Sequence, residues 1–147
     1  MQALSVFFAI SVFLGLLSMQ DQHTRQANAT TSEAAAIGGN MSLYRNAVVT
    51  YARANTGVTG SVADSSLALP TWFNHMPAVQ NYVTGGKGYV YFAAAQPELA
   101  YLILKSSNNS ILTGIKRAGV LYNPLTGSTT ITLPAAIPDG SVVYADS

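Results

Sequence analysis

The chain contains no cysteine. That excludes disulfides, thiolate nucleophiles, lipid attachment at a Cys and cysteine-based metal sites. It leaves the compartment open, because an exported protein can do without cysteine. Charge is scarce as well: Lys and Arg number 7 against 6 Asp and Glu, a net charge of +1. No electrostatic case for nucleic acid follows from that balance. The two histidines, His23 and His75, have no metal-ligating spacing between them. Nothing in the sequence calls for a cofactor.

Catalytic patterns are missing too. Asp64, Ser65 and His75 can be drawn as nucleophile, base and orienter, but no G-x-S-x-G surrounds the serine. Capping and turn roles suit these residues better. Gly85-Gly86-Lys87-Gly88 has part of a phosphate loop, but Asn81 stands where its first glycine belongs and Gly88 where its Ser or Thr belongs. A glycine-rich hairpin is the better reading. Lys116-Arg117 reads as a solvated strand end. A non-enzyme is expected.

What is present begins with an uninterrupted apolar run from Ala3 to Met19, which stops at Gln20-Asp21-Gln22-His23. As a helix rising about 1.5 Å per residue it covers roughly 25 Å, the short edge of the hydrocarbon thickness. Leu4, Val6, Phe7, Phe8, Ile10, Val12, Phe13, Leu14, Leu16 and Leu17 would form its lipid-facing surface. The n-region has no Lys or Arg, and the run is longer than a signal-peptide core of about 7–15 residues. An uncleaved anchor is therefore favoured. A signal peptide cleaved after Ala27-Asn28-Ala29 is the alternative, and it would release a small secreted enzyme or binding protein. Arg25 follows the run and nothing basic precedes it, but that bias is weak for long domains, and orientation stays open.

The organisation expected is an anchor over residues 1–20, a polar linker over 21–30 and one α+β domain over 31–147. About 125 residues beyond the anchor suffice for a single core. Thr30-Thr31-Ser32-Glu33 has the form of a capping box. It would open an amphipathic helix to about Ala54, with Ile37, Met41, Tyr44, Val48 and Tyr51 on one stripe. Gly38-Gly39 within it suits a weak spot, a late helix start, a hinge or a close helix contact.

From Gly57 on, short apolar runs are broken by Gly, Pro and Asn. Asn81–Thr84 and Tyr89–Phe92 around the glycines predict a hairpin. Pro97-Glu98 suits the first turn of a short helix ending near Ser106. Strands are expected at Ile111–Ile115, Gly119–Tyr122, Thr129–Leu133 and Val142–Tyr144. Tyr82, Tyr89, Tyr91 and Trp72 suit either an exposed aromatic surface or a core. The candidate interaction residues are Tyr44, Tyr51, Trp72, Tyr89 and Tyr91.

Three stretches in combination carry a resemblance. They are Leu43-Tyr44-Arg45-Asn46-Ala47-Val48-Val49-Thr50-Tyr51, then Gly60-Ser61-Val62 through Asp64 and Leu67-x-Leu69-Pro70-x-Trp72-Phe73, and finally Thr130-Ile131-Thr132-Leu133-Pro134-Ala135-Ala136-Ile137-Pro138-Asp139-Gly140-Ser141-Val142-Val143. With the apolar N-terminus, the chain resembles the small PilM proteins encoded in thin-pilus (type IVb) operons of conjugative plasmids and their enterobacterial relatives. The resemblance implies an inner-membrane protein with its C-terminal domain in the periplasm, in the pilus basal body or the pilin transport apparatus. Its partners would be other pilus biogenesis proteins or pilins, a homo-oligomer being possible, and its process conjugative mating without DNA contact. It carries over no catalytic residues. The helix-then-sheet order is also the plan of a type IV pilin. A prepilin has a basic leader ending in Gly and a Glu five residues into the mature chain, whereas Gly15 here is followed by Gln20. A minor pilin or pilus-tip subunit is therefore the alternative.

Overall fold

The structure, a computed structural model, describes residues 2–93, 97–107, 110–124 and 126–146, with 2–24 and Pro97 described as backbone only. It separates into two compact units, Met1–Glu33 and Ala34–Ser147. Helix α1 runs without interruption from Gln2 to Ala54. The apolar residues from Leu4 to Leu17 that the sequence assigns to an anchor lie outside the described side chains. Among the described residues no helix is long and apolar enough to cross a membrane.

In the first unit, the segment 21–30 expected as a linker is helical, and no new helix starts at Thr30. Thr30 and Thr31 do not cap free N–H groups. Their hydroxyls donate back to the carbonyls of Gln26 and Ala27, at 3.0 and 2.8 Å. Serine and threonine are accommodated in a helix interior this way. No proline or glycine between Gly15 and Gly38 forces a break.

The second unit holds the core. From Ala34 on, α1 buries Ala34, Ile37, Met41, Tyr44, Val48 and Ala52 at spacings of three and four, one stripe of a 3.6-residue period. Tyr51 lies at its margin, half-buried. Asn55 closes the helix, its side chain donating to the Tyr51 carbonyl at 2.9 Å. A 3₁₀ turn at Asp64–Ser66 follows.

The sheet comprises β1 (Val79–Thr84), β2 (Lys87–Phe92), β3 (Thr113–Arg117), β4 (Val120–Asn123), β5 (Gly127–Thr132) and β6 (Val142–Ala145). Helix α2 (Pro97–Ser106) lies between β2 and β3 in sequence. The strand order is β1-β2-β6-β3-β4-β5 and every pairing is antiparallel. The last strand in sequence thus sits in the middle. All four residues of β6 are buried. Val142 and Tyr144 join the cluster made by α1, α2 and the adjacent strands, while Val143 and Ala145 face a second cluster with Tyr89, Leu121, Leu133 and Ile137. Side chains alternate across a strand, so an unbroken apolar run marks one covered on both faces.

Gly85 and Gly86 have φ of +56° and +79°, the conformation of a two-residue hairpin turn. This is the hairpin the glycines predict. The β3–β4 hairpin uses the same conformation with Ala118 at φ +48° before Gly119 at +81°. An alanine there hides the turn from a sequence reading, and β3 begins at Thr113 rather than Ile111, which is 64% exposed.

Lys116 is not at a solvated strand end. It is buried, and its Nζ donates to the Ile137 and Pro134 carbonyls at 2.6 and 3.0 Å, with Asp139 at 3.7 Å. Alternation along β3 turns it beneath the 134–139 loop while Arg117 stays exposed, its guanidinium 4.1 Å above the Tyr122 ring.

The two sheet edges are treated differently. Beside β1, Gly60 and Val83 exchange backbone bonds of 2.9 and 2.8 Å. The Asn81 side chain accepts from Val62 N at 2.7 Å and donates to Val62 O at 2.8 Å, as a neighbouring strand would. At β5 the register with β4 shifts between Val120 and Tyr122, where the Thr129 hydroxyl donates to Leu121 O at 2.8 Å.

Of the readings open for Gly38-Gly39, close contact holds at Gly38. A Cβ on Gly38 would run into the Ser106 hydroxyl of α2. Alanine normally favours a helix by about 1 kcal/mol over glycine, and overpacking costs about 1–3 kcal/mol. Gly38→Ala is expected to lower stability to urea in the wild-type background and to be neutral or stabilising beside Ser106→Ala. Ala118→Asn, placing a residue tolerant of the left-handed region at the hairpin, is expected to raise unfolding stability by about 1 kcal/mol.

Candidate functional site

Tyr44 sits in the middle of the buried stripe of α1 and is wholly inaccessible. A phenol there needs a partner. Its hydroxyl donates to Asp64 Oδ1 at 2.6 Å and accepts from Asn81 Nδ2 at 2.7 Å. Asp64 Oδ2 meets His75 Nδ1 at 2.7 Å, and His75 Nε2 lies 2.8 Å from the Val79 carbonyl. A carbonyl only accepts, so Nε2 is the donor in that bond. When Nδ1 is protonated too, the contact with Asp64 is an ion pair. The rings stack: Tyr44 and His75 have centroids 4.1 Å apart and 20° between planes, and Phe73 lies 6.1 Å from Tyr44.

Asn40, one turn earlier on α1, donates to the Asn74 carbonyl at 2.8 Å and accepts from Met76 N at 3.3 Å. Together Asn40, Tyr44 and Asn81 fasten residues 62–79 to α1 and β1. The triad drawn from Asp64, Ser65 and His75 is not assembled. Ser65 is exposed, and the nitrogen that would take a nucleophile's proton already donates to Val79. Among the described residues no group of three or more His, Asp or Glu side chains could hold a metal ion.

The segment so fastened carries Trp72, 73% exposed. It sits on a turn closed by Phe73 N donating to Pro70 O at 2.9 Å. Next to Pro70 is a groove of about 300 Å³ between α1 and the segment, lined by Leu43, Asn46, Ala47, Thr50, Ala68 and Pro70. A second, more polar cleft of about 470 Å³ runs from Gly38, Gly39 and Arg45 to the Ser106–Ser107 end of α2. There the Arg45 Nε donates to the Ala145 carbonyl at 2.9 Å.

The candidate interaction residues therefore separate. Tyr44 and Tyr89 belong to the two cores, because their positions fall on inward faces of α1 and β2. Tyr51 and Tyr91 are half-buried, Tyr91 donating to Gln80 Oε1 at 2.8 Å. Trp72 alone of the five is exposed. Asn40 and Asn81 are the residues that sequence reasoning missed. Asn81 leaves one trace, a polar residue at an inward position between Val79 and Val83.

Burial first, and then the bond to Asp64, raises the Tyr44 phenol well above its ordinary range. Burial likewise raises Tyr89, helped by the Asp146 charge, and Tyr91 and Tyr144. Such groups hold their protons in the folded state after the unfolded chain, with phenols near pKa 10, has begun to lose its own. Their stabilisation is complete below about pH 10 and is lost as pH rises beyond it. Denaturation across that range is expected to show falling stability, with a shallower fall in Tyr44→Phe. At neutral pH, Tyr44→Phe is expected to cost about 1–3 kcal/mol and Asn81→Ala at least as much, since the latter also strands both polar groups of Val62.

The family model described as PilM matches residues 8–145. The crystal structure of a PilM protein from Escherichia coli B7A is similar at a TM-score of 0.58 and 24% identity, over 79% of this chain and 93% of that one. A PilM protein from Pseudomonas aeruginosa 2192 is 36% identical over 78% of this chain and 96% of its own, with a TM-score of 0.48. No curated protein matches. The first likeness bears on the fold alone; the family rests on the family model's match over nearly the whole chain. The chain belongs to the PilM family.

Proposed function

We propose that this chain is a non-enzymatic component of the type IVb pilus assembly machinery, held at the inner membrane by the apolar start of α1. The domain from Ala34 onward would lie in the periplasm and meet other pilus biogenesis proteins or pilins, in the basal body or in pilin transport, in support of conjugative mating. Membership of the PilM family carries this reading. Two observations support it. The apolar run reaches the short edge of the hydrocarbon thickness, and the polar constellation around Tyr44 fastens a loop.

A minor pilin or pilus-tip subunit is the second reading, favoured by the plan of a long helix whose buried stripe serves an antiparallel sheet. The N-terminus of the protein in cells distinguishes the two. An assembly component anchored by an uncleaved helix keeps the apolar run intact and fractionates with inner membranes. A fibre subunit acquires a new terminus just before an apolar stretch and is recovered from sheared pili. Replacing Phe7, Phe13 and Leu14 by Asp is expected to move the protein out of the membrane fraction and to abolish piliation. Recovery of the wild-type protein as soluble, with normal pili in its absence, overturns the proposal.

A further inference from the structure

We infer that His75 is a proton-operated latch. With both ring nitrogens protonated it ties Asp64 to the first residue of β1, and loss of either proton loosens the segment 62–79. Each nitrogen faces an oxygen, Nδ1 the Asp64 Oδ2 at 2.7 Å and Nε2 the Val79 carbonyl at 2.8 Å. A neutral imidazole has one N–H to give and an imidazolium has two. The carbonyl has no hydrogen to offer. Tyr44 gives its one hydroxyl hydrogen to Asp64 Oδ1, and its oxygen accepts from Asn81. Both contacts of the ring are therefore made only when it carries the second proton. In either neutral tautomer a ring lone pair is turned on an oxygen lone pair.

The surroundings favour the charged ring. Its centroid lies 4.1 Å from that of Tyr44, stacked face to face, and a cation within about 6 Å of an aromatic face is attracted by the ring's quadrupole. No rival charge competes for it. Between Val62 and Val79 the ionisable side chains are Asp64 and His75 alone. On α1, Arg45 is drawn to the Ala145 carbonyl and Arg53 to Asp146. Tyr44 keeps its proton, since burial and then the bond to Asp64 raise its phenol. Tyr82 of β1 packs with the cluster on the other face of the sheet. Among the described residues no other acid or base of α1, α2 or β1 forms an ion pair with His75. The His75 side chain is 21% exposed, so water reaches it to exchange the proton.

The other ties on the segment are neutral. Asn40 holds Asn74 and Met76, and Asn81 holds Val62. Amides keep these bonds at any ordinary pH, so opening the latch loosens the segment without unfolding the domain. Histidine exchanges its proton between about pH 5 and 8. The latch is closed at the acid end of that range and opens as pH rises.

The sequence supplies clean probes, with two histidines and a single tryptophan, Trp72, on the segment itself. Purified full chain in mild detergent is taken across about pH 5 to 8. Acrylamide quenching of Trp72, ring-nitrogen NMR of His75 and hydrogen exchange are followed together. At the acid end both ring nitrogens are expected to be protonated. As pH rises one proton is lost, quenching increases, and the amides of Phe73 and Val79, bonded to Pro70 and Met76, lose roughly tenfold in protection corrected for intrinsic exchange, the scale of one hydrogen bond to a charged group. His23→Gln is expected to change none of this, and His75→Gln to remove the pH dependence. Asp64→Asn is expected to keep the segment held at the alkaline end, because its amide can donate to a neutral Nδ1 while its oxygen still accepts from Tyr44. A wild-type ring with one protonated nitrogen at the acid end overturns the inference, and this reading needs no variant to fold. So does a ring that loses its proton with no change in quenching or protection. A pH dependence that survives in His75→Gln, vanishes in His23→Gln, or runs in Asp64→Asn as in the wild type overturns it as well.

Discussion

Everything in the sheet domain hangs on one strand. Val142–Ala145 joins a hairpin on one side to a three-stranded meander on the other, by pairing with β2 and β3 at once. Its two faces feed two different clusters. Without it, β2 and β3 would each be a bare edge, and α1 and α2 would lack Val142 and Tyr144 beneath them. Each fully buried aliphatic side chain contributes on the order of 1.5–3 kcal/mol, which is large against the net stability of a domain of about 5–15 kcal/mol. Gly88 and Gly114 show how tightly the surrounding layers close. A Cβ on Gly88 would come within 3.0 Å of the Val49 backbone, and one on Gly114 would press on the Tyr122 carbonyl.

Around that frame, buried polar groups do the orienting. Asn81 occupies an inward strand position where valine would pack without demands. Its amide serves Val62 twice and Tyr44 once. A fully satisfied network of this kind fixes one arrangement of an otherwise irregular segment, because any shift leaves a buried donor or acceptor unpaired. Lys116 does the same on the other face of the sheet, where its ammonium holds the carbonyls of the 134–137 loop. Long loops thereby become fixed surfaces.

How much of this the sequence shows depends on whether a residue's role is local. The stripe from Ile37 to Val48, the Gly85-Gly86 turn and the Pro97-Glu98 helix start are local in origin, and each is found where the residues predict it. Helicity through 21–33 is not legible, because a segment polar all round has no period to read. Ala118 conceals a hairpin by standing in a conformation that favours glycine or asparagine. The burial of Lys116 follows from register and from a loop some twenty residues away. Asp64 and His75 have nothing in their spacing that predicts their contact with Tyr44. Of the tyrosines and Trp72, alternation alone cannot say which face is covered until the sheet order is known. The family resemblance reaches beyond the local signals, since it rests on the combination of stretches across the chain.

The treatment of the two edges has a consequence for how such a domain keeps company. One edge is occupied by its own chain, through Gly60 and the side chain of Asn81, and the other is put out of step by the irregularity at Thr129–Ile131. Neither presents the uninterrupted row of amides and carbonyls that an incoming strand requires. Neither edge of this sheet is therefore a regular template for strand addition. The surfaces the domain offers beside those edges are then built from side chains, Asn81 on one side and Thr129 on the other.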